Sequence, residues 1–175
     1  VMYKRMQQAI ENGNVTLFPK TQRMAEFYPA YAFAASAHQG QTRKGTQIPY
    51  MTHLITTMNY CLQLTSNKDV LMAAILHDTI EDTDTTYDDI LYHFGSRIAD
   101  YVSKETENKR ENLPAESTWE IRKRETIEHL KTASMEVKML VLSDKTANAE
   151  SMMREWRRIG DEIWGKFNQS DKEKQ

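Results

Sequence analysis

Apolar residues recur along this chain at intervals of three and four rather than two, and no stretch alternates apolar with polar positions long enough to make a strand. An all-α fold is the expectation. After an amphipathic start over 3–11 and the Asn12-Gly13-Asn14 turn, the pattern predicts a helix from Thr21 to His38, with Pro29 kinking it or opening its second half and Gly40 marking its end. The segment "QGQTRKGTQIPY", 39–50, carries two glycines and a proline and reads as a loop. Thr52 is placed to cap the next helix, which carries His53 in its first turn and runs to Leu64, and Ser66 or Asn67 caps a helix through Asp78. Thr85 with Asp88, and Ser117 with Glu120, match the capping-box spacing and predict helix starts near Thr86 and Thr118, with Gly95 dividing the first region into two short helices. Residues 107–117, "ENKRENLPAES", are polar and broken by Pro114, a loop or lid. The last pattern predicts a long helix over 135–159, stopped by Gly160 and followed by a charged, fraying tail over 168–175.

One of these helices ends against its own pattern. "LMAAILHDTIEDT", 71–83, runs a buried apolar face straight into His77, Asp78, Glu81 and Asp82. Residues four apart lie one above the other on a helix, so His77 stacks over Glu81 and Asp78 over Asp82. Burying such carboxylates without partners costs roughly several kcal/mol each, and a divalent cation removes that cost. A single helix reaches only one side of an ion, and the chain offers further ligands at His53 and at Asp144, the latter interrupting the apolar run before "DKTANAES". Two histidines and two aspartates leave positions for water, which favours Mn²⁺, Mg²⁺ or Fe²⁺ over a closed structural zinc site. On spacing alone, a metal site and a satisfied core pair stand level.

Composition narrows the partners. The 175 residues carry 23 basic and 25 acidic side chains, a formal net charge of −2, so nothing draws the chain as a whole to DNA or to an anionic membrane. The apolar run over 70–76 is far too short to span a bilayer. The lone Cys61 cannot pair within the chain and sits in an apolar helical pattern, consistent with packing in a reducing, cytoplasmic setting.

The order His53, His77-Asp78, Asp144 resembles the HD-domain phosphohydrolases. The words "AHQGQTRKGTQIPYMTH" (37–53), "AAILHDTIEDT" (73–83), "FGSRIADYV" and "LSDKTAN" together resemble the hydrolase domain of the RelA/SpoT homologues. The resemblance covers about 31–151, and with no room for a synthetase domain the chain is similar to the stand-alone small alarmone hydrolases. It implies a compact helical bundle around one metal site, with 1–175 as a single HD-type domain whose residues 1–20 form an N-terminal extension. It also implies one Mn²⁺ held by His53, His77, Asp78 and Asp144, with Glu81 and Asp82 as the catalytic acids beside the metal. Arg43 and Lys44 resemble the family's nucleotide-contacting pair, Asn148 its nucleotide-binding asparagine, and Ser151 adds a sugar or phosphate contact, while His38 packs behind the site.

Two positions depart from the usual pattern: Leu54 stands where a proline commonly follows the metal-binding histidine, and small or polar residues separate Asp144 from Asn148. The implied reaction is hydrolysis of the 3′-diphosphate of a ppGpp-type guanosine alarmone, releasing pyrophosphate. Two alternatives keep the site: another nucleotide as substrate, such as ppApp, NADPH or a tRNA end, or a role as antitoxin partner of a cognate alarmone synthetase.

Overall fold

The computed structural model describes residues 25–106, 110 and 112–167, and all regular secondary structure among them is helical. In chain order these helices are α1 (Tyr28–Ala37), α2 (Met51–Leu64), α3 (Lys68–Leu76), α4 (Thr79–Asp82), α5 (Tyr87–Phe94), α6 (Ser96–Glu105), α7 (Ala115–Thr132) and α8 (Met135–Ile159), with a 3₁₀ helix over Gly160–Lys166. The expected elements over 3–14 and the tail over 168–175 lie outside the described residues.

The core is built around α3. Val70, Leu71, Ala73, Ala74, Ile75 and Leu76 are all buried, so this short helix is apolar on every side and must be enclosed by others. Ala30 and Ala34 of α1, Leu54, Met58 and Cys61 of α2, Ile98, Ala99 and Val102 of α6, and Leu140 of α8 close around it. Each large side chain so enclosed contributes about 1.5–3 kcal/mol of apolar burial. Among the described residues no helix is long and apolar enough to cross a membrane.

Helix identities follow the apolar periods, whereas several boundaries shift for local reasons. Pro29 opens α1 instead of kinking a longer helix, because a missing N–H costs nothing in a first turn. Thr52 does not cap α2: the backbone is already helical at Tyr50, and the Thr52 hydroxyl donates to the Pro49 carbonyl at 2.8 Å. Asn67 caps α3 as expected, accepting from the Asp69 amide at 3.0 Å. The capping box before α5 is Thr86 with Asp89, one residue beyond the predicted pair. Ser117 caps nothing, since α7 opens at Ala115 behind Pro114 and the Ser117 hydroxyl donates to the Pro114 carbonyl at 2.7 Å. Gly95, at φ +85°, separates α5 from α6, and α8 spans the predicted residues up to Gly160 at φ +61°.

Candidate metal centre

The helix predicted to run through Asp78 stops at Leu76, and α4 begins at Thr79. The break is stabilised by side chains that take over carbonyls the helix would otherwise have bonded: the Thr79 hydroxyl donates to Leu76 O at 2.6 Å, and His77 Nδ1 lies 2.9 Å from Ala74 O. A proton on Nδ1 bonded to that carbonyl leaves the Nε2 lone pair of His77 directed at the site, the tautomer a metal ligand requires. His77 Nε2 itself is buried without a hydrogen-bond partner.

His53, in the first turn of α2, and Asp144, in the middle of α8, meet His77 and Asp78 across the core. His53 Nε2 is 2.9 Å from Asp144 Oδ1 and 3.5 Å from Asp78 Oδ2, and His77 Nε2 is 3.2 Å from Asp78 Oδ2 and 3.5 Å from Asp144 Oδ1. Donor atoms bound to one divalent ion at about 2.1 Å are separated by about 3.0–3.4 Å, whether the angles are octahedral or tetrahedral. The four separations lie close to this range, so the four side chains converge on one place, where His53, His77 and Asp144 offer ligand atoms within 4.8 Å of one another. Electrostatics point the same way. Burial holds His53 below its usual range, whereas Asp78 and Asp144 overcome burial and raise His77 well above it. Both carboxyls are in turn held below the usual carboxylate range, despite burial, by the neighbouring histidines. The cluster is built to enclose positive charge.

Beside it lies a carboxylate that the sequence reading passed over. Glu105 ends α6 on the apolar stripe of Ile98 and Val102, and burial pushes it up to about 8. It lines, with Lys104, Arg122 and Lys145, part of a cleft of about 320 Å³.

The expected substrate loop folds as a tight hairpin over 39–50, closed by an isolated Thr42–Pro49 bridge and by the Arg43 amide donating to Ile48 O at 2.8 Å. Gly45, at φ +70°, makes its tip, where an L side chain is strained. Arg43 leaves this loop toward the cluster: its Nη2 donates to Asn148 Oδ1 at 2.6 Å, and Asn148 Nδ2 donates to Asp144 Oδ1 at 2.7 Å. Asn148 sits one turn after Asp144 on α8, and so joins the loop cation to a carboxylate of the cluster. Lys44 is exposed next to Arg43, and Ser151 is half-buried two turns beyond Asp144 on α8.

The expected catalytic acids lie on α4, both half-buried. Asp82 is tied in closely through Tyr50, which the sequence reading missed: the Tyr50 hydroxyl lies 2.6 Å from Asp82 Oδ2 and 2.8 Å from Asp78 Oδ2. Burial and these two carboxylates raise the Tyr50 phenol above its usual range, so it keeps its proton and shares it between the acids. The Tyr50 ring stacks on buried His38 at 4.7 Å between centroids, and Arg43 approaches its ring to 5.2 Å. Behind it, His38 Nδ1 lies 2.8 Å from Gln41 Oε1, and Gln41 Nε2 donates to the Asp82 carbonyl at 2.8 Å. Tyr50 had one usable signal, its position three residues before His53 on the same helical face. Gln41 had none, because its partner lies 41 residues away.

An all-helical bundle with paired histidines and aspartates at its centre defines the HD-domain class. The HD domain family model matches residues 30–168, and the chain belongs to this family. A mouse protein named guanosine-3′,5′-bis(diphosphate) 3′-pyrophosphohydrolase MESH1 is 36% identical over 133 residues, 74% of this chain and 71% of its own length. A protein of Aquifex aeolicus with the same enzyme name is 33% identical over 151 residues, 80% of this chain and 21% of its own length. Among solved structures, one described as a metazoan ortholog of SpoT that hydrolyzes ppGpp matches with a TM-score of 0.65 at 32% identity, covering 74% of this chain and 71% of that one. A protein of Listeria monocytogenes EGD-e matches with a TM-score of 0.59 at 34% identity, covering 67% and 72% of the two chains.

Proposed function

We propose that this chain, folded as a single HD-type domain, hydrolyses the 3′-diphosphate of a ppGpp-type guanosine alarmone with one Mn²⁺ held by His53, His77, Asp78 and Asp144. The observation that carries the reading is the ring of four side chains at 2.9–3.5 Å, three buried and Asp78 half-buried, in a chain 36% identical over 133 residues to a mouse protein named for this reaction. A divalent ion held by these four side chains would supply Lewis-acid chemistry, lowering the pKa of the attacking water and neutralising charge that develops on the phosphorus oxygens.

The protein's own groups do the rest. Asp82, fixed by Tyr50 and by Gln41 at its backbone, and Glu81 on the same turn, accept the proton of the attacking water. Cleavage between the 3′ oxygen and phosphorus, with the proton taken from the water passed to the 3′ oxygen, leaves a 3′ hydroxyl on the nucleotide and frees pyrophosphate. Arg43, with its guanidinium steered by Asn148 and the face of Tyr50, grips phosphate or stacks on the base, and Lys44 adds a point charge on the same loop. Ser151 contributes a hydroxyl to the sugar or phosphate.

The test is turnover by the metal-loaded protein against ppGpp, ppApp, NADPH and a pyrophosphorylated tRNA end, with pyrophosphate distinguished from orthophosphate. Pyrophosphate release from ppGpp, abolished in a folded Asp78→Asn variant, is expected. Release of orthophosphate from NADPH with ppGpp left intact would move the substrate assignment, and wild-type ppGpp turnover by metal-loaded Asp78→Asn would sink the site assignment.

A further inference from the structure

Helix α6 packs Ile98, Ala99 and Val102 against the core, and the next position on that buried stripe is an acid. Glu105 is only 8% exposed. Lys145 Nζ lies 3.7 Å from its Oε1 and donates to Asp144 Oδ2 at 2.7 Å. The lysine thus engages one oxygen of each carboxylate and leaves the other for the site. Glu105 Oε2 is buried with no hydrogen-bond partner, as is His77 Nε2. One ligand atom each from His77, Asp78 and Glu105 lie within 4.8 Å of one another, a group that shares His77 and Asp78 with the ring described above. A buried carboxylate oxygen without a donor costs about 1–3 kcal/mol or more, so its presence on a core-facing stripe calls for something that meets it.

We infer that Glu105 is a further ligand of the ion held by His53, His77, Asp78 and Asp144. The inference rests on the metal reading above and adds a fifth protein ligand to it. Two imidazoles and three carboxylates suit a hard, six-coordinate divalent cation such as Mn²⁺ better than tetrahedral zinc, and they leave a single position for solvent. In the metal-free protein the same carboxylates crowd one another. Replacing Glu105 by its amide isostere therefore takes a ligand from the metal-loaded form and leaves the metal-free form unharmed, whereas a purely structural role would weaken both forms alike.

The experiment measures Mn²⁺ binding by calorimetry, and melting temperature with and without Mn²⁺, for the wild-type protein, Glu105→Gln, Glu105→Asp and His53→Ala. Glu105→Gln is expected to bind Mn²⁺ about 10–100-fold more weakly. Its metal-free form is expected to melt no lower than wild type, so that the rise in melting temperature on adding Mn²⁺ shrinks. Glu105→Asp keeps the charge but is one methylene too short to reach, and loses affinity as well. Unchanged Mn²⁺ affinity in both Glu105 variants, with binding lost in His53→Ala, overturns the role of Glu105 and leaves the four-ligand reading standing. A wild-type protein that binds no Mn²⁺, or a His53→Ala variant that binds it as tightly, overturns the metal reading itself.

Discussion

Helices α3 and α8 both run from the core into the candidate metal centre, and they deliver their side chains to it in opposite ways. Helix α8 is unbroken over 25 residues and presents Asp144 and Asn148 from its middle, one turn apart on one face. Helix α3 ends just before the site, and His77 and Asp78 follow in the turn that joins it to α4. Consecutive residues on an intact α-helix point about 100° apart, so two neighbours seldom reach one ion. The hydrogen-bonded helix is interrupted after Leu76 while His77 and Asp78 keep right-handed backbone angles, their side chains meet with His77 Nε2 3.2 Å from Asp78 Oδ2, and the Thr79 hydroxyl and His77 Nδ1 lie on the carbonyls of Leu76 and Ala74. An unbroken helix can supply ligands one turn apart, whereas adjacent ligands here come with a break and with side chains that satisfy its carbonyls.

The two helices also differ in how they meet the core: α3 is enclosed on every side, whereas α8 buries Val137, Leu140 and Val141 on one face and exposes Leu142 on another. Leu76 is fully buried, whereas Leu142, two residues from Asp144 on α8, is 56% exposed. Leu76→Ala is expected to cost about 2–5 kcal/mol, read as a fall in melting temperature of roughly 5–15 °C. Leu142→Ala is expected to stay within about 0.5 kcal/mol of wild type. Equal losses in calorimetry would remove the contrast.

A second prediction concerns pH and comes from the carboxylate and histidine side chains where the two helices meet. His77 lies above its usual range in the folded, metal-free protein, so its contribution is fully present below its unfolded pKa and is lost as pH rises through the folded value. Glu105, pushed up to about 8, favours folding while protonated and loses that contribution between its ordinary value and about 8. Asp78 and Asp144 act with the opposite sign: held low, they stabilise above the ordinary carboxylate range, and that stability is lost only in acid. The metal-free protein should therefore melt lower at pH 9 than at pH 6, by roughly 5 °C. With Mn²⁺ bound, which takes the place of the His77 proton, the fall should disappear. A flat metal-free profile over the same range would show that the cluster does not hold these charges.

The smallest effect is expected where the loop touches α4. Tyr50→Phe keeps the ring on His38 and beside Arg43 and removes only the hydroxyl between Asp78 and Asp82. Turnover should fall about tenfold, equivalent to about 1.4 kcal/mol, with KM little changed. A raised KM at unchanged kcat would place Tyr50 in substrate binding instead.

Much of this was legible along the chain, for a physical reason. The core and the His/Asp cluster were readable because both rest on one signal, a buried helical face and the places where charged residues interrupt it. His77, Asp78 and Asp144 broke that pattern and were found. Glu105 broke it too, on the stripe of Ile98 and Val102, and was overlooked because it belongs to no recognised word. The interruption of α3 could not be read, since "AILHDTIED" carries neither glycine nor proline and the break depends on side chains bonding to carbonyls. Nor could the Tyr50 and Gln41 contacts, which join residues 28 to 41 positions apart through a hairpin whose register is set only in three dimensions. Capping residues were misplaced by one to three positions wherever proline or a second threonine offered a competing start.

The most direct test of the central claim is a crystal of the Mn²⁺-loaded protein with anomalous data collected at the manganese edge. The account predicts one peak among His53 Nε2, His77 Nε2, Asp78 and Asp144, at coordination distance from all four. No peak there, or a peak away from these four residues, would contradict it.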